Sequence, residues 1–245
     1  MKQFFIWAIV FAICIFLPAC DVATSVSQDN STPQPHFNIC LVLDGTDRLS
    51  EQNVVPCVTS EEIVDLANTL TEKGIGSLYV SYIDNNCDNN HVAVFEWSEN
   101  KPESPGDKPG YMKMVEYEKL IADSQKAMDG FKERRDEAFR DFFEDCSGIV
   151  TLAYSDAVAH QRKGSDVNGA INQASRLLQA SCSGVTRSSI ILVSDGCDNV
   201  GKRLSELPEG MDLFIVNSNA SKHQYGELVA KEFVTLKQAA KHIFK

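Results

Sequence analysis

Apolar residues recur along this chain in two rhythms, and the alternation of the two sets the expected architecture. Phe37-Asn38-Ile39-Cys40-Leu41-Val42-Leu43 is almost continuously apolar, as expected of a strand covered on both faces. Thr59-Ser60-Glu61-Glu62 then offers a capping hydroxyl with a Glu close behind it, the start signal of a helix. Ile63, Leu66, Ala67 and Leu70 follow at helical spacing, and Gly74 and Gly76 end the run. Ser77 to Ile83 reads as a second strand. His91 to Trp97 reads as a third, reached by an Asp/Asn turn too short for a crossover, so it should run antiparallel.

A Pro/Gly loop over 98–110 precedes a long charged helical stretch, about 111–145, with a possible break at Gly130. Its length exceeds what a sheet can cover, so part of it should project. Phe131, Phe139, Phe142 and Phe143 are its expected core anchors. Val167 to Ala180 reads as another helix, Ser188 to Val193 and Met211 to Val216 as buried strands, Phe233 to Thr235 as a short last strand, and Leu236 to Phe244 as a closing helix. Strands alternating with helices predict an α/β fold: a doubly wound, mostly parallel sheet with one antiparallel edge strand, covered on both faces.

The first residues have a different character. Lys2 is the only charge among the first nineteen residues, and an apolar run from Phe4 to Leu17 leads into Leu17-Pro18-Ala19-Cys20. This is the form of a secretory signal. The run, about 14 residues, is short for a bilayer span. Its ending resembles a bacterial lipobox, which implies cleavage after residue 19 and acylation of Cys20. Residues 21–36, rich in Ser, Thr and Pro, read as a flexible tether behind the lipidated Cys20. The remainder, 37–245, suits one domain. The expected location is therefore a bacterial cell envelope, with the domain in the periplasm or at the cell surface.

The net charge of −11 argues against nucleic-acid binding, which relies on neutralising phosphate. It also disfavours anionic lipid as a partner, except through the anchor itself. Beyond Cys14 and Cys20, six cysteines remain: Cys40, Cys57, Cys87, Cys146, Cys182 and Cys197. An even number in an exported domain suggests disulfides. Cys57, after the first strand, and Cys197, after the central one, should lie close enough to pair across one face, whereas Cys40 sits in a strand and reads as a core thiol.

In such a sheet, ligands bind outside the carboxyl ends of the strands. Three loops should meet there: Asp44-Gly45-Thr46-Asp47-Arg48, Gly164-Ser165-Asp166-Val167-Asn168-Gly169, and Ser194-Asp195-Gly196. Their short oxygen-bearing side chains are what a hard divalent cation requires. Here the sequence resembles the von Willebrand factor A family and its metal-ion-dependent adhesion site, over about residues 37–245. The resemblance implies that Asp44 and Thr46 on the first loop, Ser165 on the second and Asp195 on the third hold Mg²⁺ or Mn²⁺, with a protein partner completing the shell. Arg48 stands where that family has a third ligand. A guanidinium cannot ligate a cation, and one reading has Arg48 replacing the cation's charge by pairing with Asp44 or Asp195.

Enzyme signatures are missing. The chain has no Gly-x-Ser-x-Gly elbow, no Walker-type phosphate loop and no His pair at metal-ligand spacing. Asp84-Asn85-Asn86-Cys87-Asp88-Asn89-Asn90 lacks the spacing of a calcium loop and reads as a solvated turn. The expected function is a membrane-anchored, non-enzymatic module for protein–protein interaction; the alternative is a structural subunit of an envelope assembly with a vestigial metal site.

Overall fold

A computed structural model describes residues 34–45, 57–155, 164–181, 186–196, 198, 200–216 and 231–245. Cys20, the tether up to residue 33, Thr46, Arg48, Cys182 and Cys197 lie outside the described residues. Within the unit Gln34–Lys245, the elements are β1 (His36–Leu43), α1 (Ser60–Lys73), β2 (Ile75–Tyr82), a 3-10 turn (Cys87–Asn89), β3 (Ala93–Trp97), α2 (Met114–Tyr154), α3 (Val167–Ala180), β4 (Thr186–Val193), β5 (Met211–Val216), β6 (Lys231–Phe233) and α4 (Leu236–Ile243).

The six strands lie in the order β3-β2-β1-β4-β5-β6. All neighbours are parallel except β2 and β3. The expected fold class is therefore the observed one. The chain moves outward from β1 in one direction through β2 and β3, and in the other through β4, β5 and β6. The switch point thus lies between β1 and β4, where Leu43 is level with Val193.

Side-chain alternation divides the core between the two faces. Ile39, Leu41 and Leu43 of β1 share one face with Leu78, Val80, Ile191, Val193 and Phe214, under α1, α2 and α4. Cys40 and Val42 share the other with Tyr79, Ile190, Leu192, Leu213 and Ile215, under α3. The N-terminus of α1 carries the expected capping box, with Thr59 accepting from the Glu62 amide and Glu62 accepting from that of Thr59.

The long helix departs from expectation. It spans Met114–Tyr154, 41 residues, without a break at Gly130. A helical glycine costs only about 1 kcal/mol relative to alanine. The next residue, Phe131, is buried edge-on against Trp97 with ring centroids 5.3 Å apart, which anchors the helix there. Phe139 and Phe142 pack on Phe95. Phe143, expected as a fourth anchor, is instead 38% exposed. One residue turns a helix by about 100°, so a neighbour of buried Phe142 cannot share its face. β6 also lies two residues earlier than the apolar run suggested, because Lys231 to Phe233 is the stretch in register with Phe214 to Val216.

Residues 98–113 run beside the first half of this helix. Glu99 is paired with Arg134 at 2.7 Å, the Ser124 hydroxyl donates to the Glu103 carbonyl at 2.9 Å, and the Tyr117 hydroxyl donates to the Gly106 carbonyl at 2.8 Å. The loop positions rise as the helix positions fall, so loop and helix lie antiparallel. Pro102, Pro105 and Pro109 favour the extended backbone this needs. Over 114–130 no helical residue is fully buried, and Met128 still packs on the core, so the loop and the helix before Met128 together form a strut beyond the core.

Candidate functional site

The site begins where β1 ends. Asp44 is the residue after Leu43, and its amide donates to the Val193 carbonyl at 2.9 Å, which extends the β1–β4 register by one step. Its parity is that of Cys40 and Val42, which places its carboxylate on the α3 side of the sheet. Ser194, one step beyond Val193, has the parity of Ile190 and Leu192. The two side chains therefore meet: the Ser194 hydroxyl donates to Asp44 Oδ2 at 2.5 Å and accepts from the Gly196 amide at 2.9 Å. Ser165, just before α3, donates its hydroxyl to the same Oδ2 at 3.4 Å. All three side chains are buried.

Of the expected ligands, Asp44 and Ser165 are brought into contact, and Asp195 is buried next to Ser194 in the chain. Thr46 and Arg48 lie outside the described residues. Ser194 was not anticipated. The sequence signal for it is the two-residue alternation of β4 carried one step past the strand, which points the residue before Asp195, rather than Asp195 itself, towards Asp44.

Gly45 is required by close approach. A Cβ there would fall on the carbonyl oxygen of Ala153, near the end of α2. The Tyr154 hydroxyl accepts from the Val58 amide at 3.4 Å. The last turn of the long helix therefore packs directly beneath the first loop of the site.

A second polar cluster surrounds the N-terminus of α3. Asp166 is its N-cap, and Asp166 Oδ1 accepts from the Gly169 amide at 3.0 Å. A Cβ on Gly169 would overlap this carboxylate, so glycine is needed for the cap to close. Asp166 Oδ2 accepts from the Cys87 amide at 3.2 Å and pairs with the Lys202 ammonium at 2.7 Å. Lys202 also donates to Asn86 at 2.8 Å and to Asp88 at 3.1 Å. Arg176 reaches Asp88 at 3.2 Å, and Asp198 accepts from the amides of Asn168 and Gly201. Three loops are stitched together in this way. The expectation of a purely solvated turn at 84–90 is corrected: Cys87 is buried, and its thiol bonds to the carbonyls of Asp84 and Asp166.

The electrostatics follow the contacts. The hydrogen bond to Asp166 holds the Lys202 ammonium above the usual lysine range. Lys202 and then Arg176 hold the Asp88 carboxyl below the usual carboxylate range.

Cys57 is an exposed free thiol just ahead of α1. The expected Cys57–Cys197 bond is accordingly not formed in this structure, and Cys197 lies outside the described residues. Cys40, Cys87 and Cys146 are buried free thiols.

Among the described residues no group of three or more His, Cys, Asp or Glu side chains is placed to hold a metal ion. The donor set at Asp44 is of another kind, carboxylate and hydroxyl oxygens together, and that chemistry suits a hard cation. Among the described residues no helix is long and apolar enough to cross a membrane. Compared with protein-family models and with curated proteins, the chain matches none.

Proposed function

We propose that this chain is a membrane-anchored, non-enzymatic binding module of von Willebrand factor A type, which engages a protein partner at the carboxyl end of its sheet. The observation that carries the reading is the convergence of Asp44, Ser165 and Ser194 at the switch point between β1 and β4. Three separate segments deliver oxygen atoms to the one place where this architecture opens a crevice. Asp44, Ser165 and Asp195, with Thr46, would hold Mg²⁺ or Mn²⁺ there, and the ion would supply positive charge for an acidic group of the partner. Acylated Cys20 and the Ser/Thr/Pro tether would keep the domain at an envelope membrane.

A second reading is a structural subunit of an envelope assembly in which the metal site is vestigial. One observation favours it: Asp44 already accepts two hydroxyl protons, so its charge is met within the fold. Crosslinking in intact envelopes separates the two. The binding-module reading expects a partner that is captured with Mg²⁺ present and lost with chelator or with Asp44→Asn. Capture that ignores both chelator and Asp44→Asn overturns it in favour of the structural subunit.

A further inference from the structure

The strut has a direction. Phe37 pairs with Gly76, and Gly76 with Trp97, so Trp97 stands at the end of the sheet where the described chain enters. Phe131 packs on Trp97, whereas Ala153 lies under Gly45 at the opposite end, beside the site. The helix thus climbs from the entry end to the site end between Phe131 and Ala153. Met128 still packs on the core, and the unbroken helix from there back to Met114 continues past the entry end by about 21 Å at 1.5 Å per residue. The Pro35 carbonyl, at that same end, accepts from the Ile75 amide.

At the far tip the apolar side chains are bare. Tyr111 is 88% exposed, Val115 75% and Met114 59%. The tip is a built turn: the Lys108 ammonium donates to the Met112 carbonyl at 2.7 Å, and the Met112 amide to the Pro109 carbonyl at 3.0 Å. A tyrosine beside aliphatic residues on a narrow projection suits the boundary between headgroups and acyl chains. A narrow tip is poorly shaped for a second copy of the chain, since a stable pair buries about 800 Å² per partner.

We propose that Tyr111, Met114 and Val115 insert into the surface of the same membrane that holds the N-terminus. The inference rests on the lipid-anchored reading above. Its further support is a match of lengths. A flexible tether the length of residues 21–33 would reach about 18–22 Å on average, close to the projection of the strut past the end where the described chain enters the sheet. Lys113 is exposed at the tip, but Glu116 and Asp107 are exposed there too, and the chain carries −11 overall. The contact is therefore apolar insertion and not attraction to anionic headgroups, so it survives added salt. It would stand the domain upright, with Asp44 and Ser165 facing away from the lipid.

The test uses the processed chain, extracted from envelopes and reconstituted in phosphatidylethanolamine–phosphatidylglycerol vesicles, with ordinary or brominated acyl chains, and tryptophan placed at the tip (Tyr111→Trp) or near the site (Val200→Trp). Emission is read as the increment over the parent chain, which after cleavage at residue 19 has its own Trp97. The expected result is flotation with the vesicles, at least twofold quenching of the Tyr111→Trp increment by bromolipid, and none of the Val200→Trp increment. Flotation with an unquenched tip overturns the insertion and leaves the anchor standing. An unquenched tip with a crosslinked dimer overturns it in favour of a second copy. A chain that does not float overturns the anchored reading and the insertion together.

Discussion

The Lys202 ammonium lies 2.7 Å from the carboxylate of Asp166, a side chain with no exposed surface. Asp166 also takes the amides of Gly169 and Cys87, so one buried carboxylate joins the start of α3, the 84–90 segment and the 198–202 loop. Removing the cation leaves a buried charge with backbone donors alone, which is costlier than losing a surface pair. Lys202→Met is expected to lower stability by about 2–3 kcal/mol, read as an earlier urea midpoint with unchanged slope. An effect near zero would show that the cluster does not hold these loops.

Asp88 makes this cluster sensitive to acid. Lys202 and Arg176 depress its carboxyl in the folded state, so its contribution is fully present above the ordinary carboxylate value and is lost as pH falls through the depressed one. The difference in urea midpoint between wild type and Asp88→Asn should therefore be present at about pH 6 and close by about pH 2. A difference that persists at the acid end refutes the assignment.

The two hydroxyls on Asp44 should not be equivalent. Ser194 donates at 2.5 Å and also receives the Gly196 amide, whereas Ser165 donates at 3.4 Å. Ser194→Ala is expected to cost about 1–3 kcal/mol, and Ser165→Ala clearly less. Chemical denaturation of the two variants decides the order. The reverse order would mean that Ser165 is the main support of Asp44.

Thiol chemistry should follow burial. Burial pushes Cys40, Cys87 and Cys146 up to about 12, far from the thiolate form that reacts. Brief iodoacetamide treatment of the native chain near neutral pH, read by peptide mapping, should label Cys57 and spare these three. Labelling of Cys87 would reveal opening of the loop around Asp166.

The fold was legible because burial writes itself into periodicity. The continuous run at Phe37–Leu43, the cap at Thr59 and the short turn before β3 are local signals, and each led to the observed element. Asp44 and Ser165 were legible for a related reason, since both sit at element ends. Ser194 was hidden by the carboxylate beside it, although strand parity points to the serine. Lys202 was illegible: it reaches Asp166 and Asp88 across 36 and 114 positions, and nothing in its neighbours marks that contact. Gly130 misled because a weak local preference was set against the burial of Phe131, and the burial prevailed.

The antiparallel strut also behaves as a ruler. Glu99 and Arg134 clasp its root, and everything beyond them hangs on two strands of chain that advance at different rates, about 1.5 Å per helical residue against roughly 3.1 Å per extended one. Reach can be altered without disturbing the sheet only when both are changed together, about two helical residues for each loop residue. A balanced deletion shortens the appendage and leaves the rest of the domain as it was. An unbalanced one slides Tyr117 off Gly106 and twists the tip out of line. Descendants of this sequence that differ in length between Glu99 and Arg134 are therefore expected to carry paired indels in a ratio near two to one, a signature of selection on distance rather than on composition.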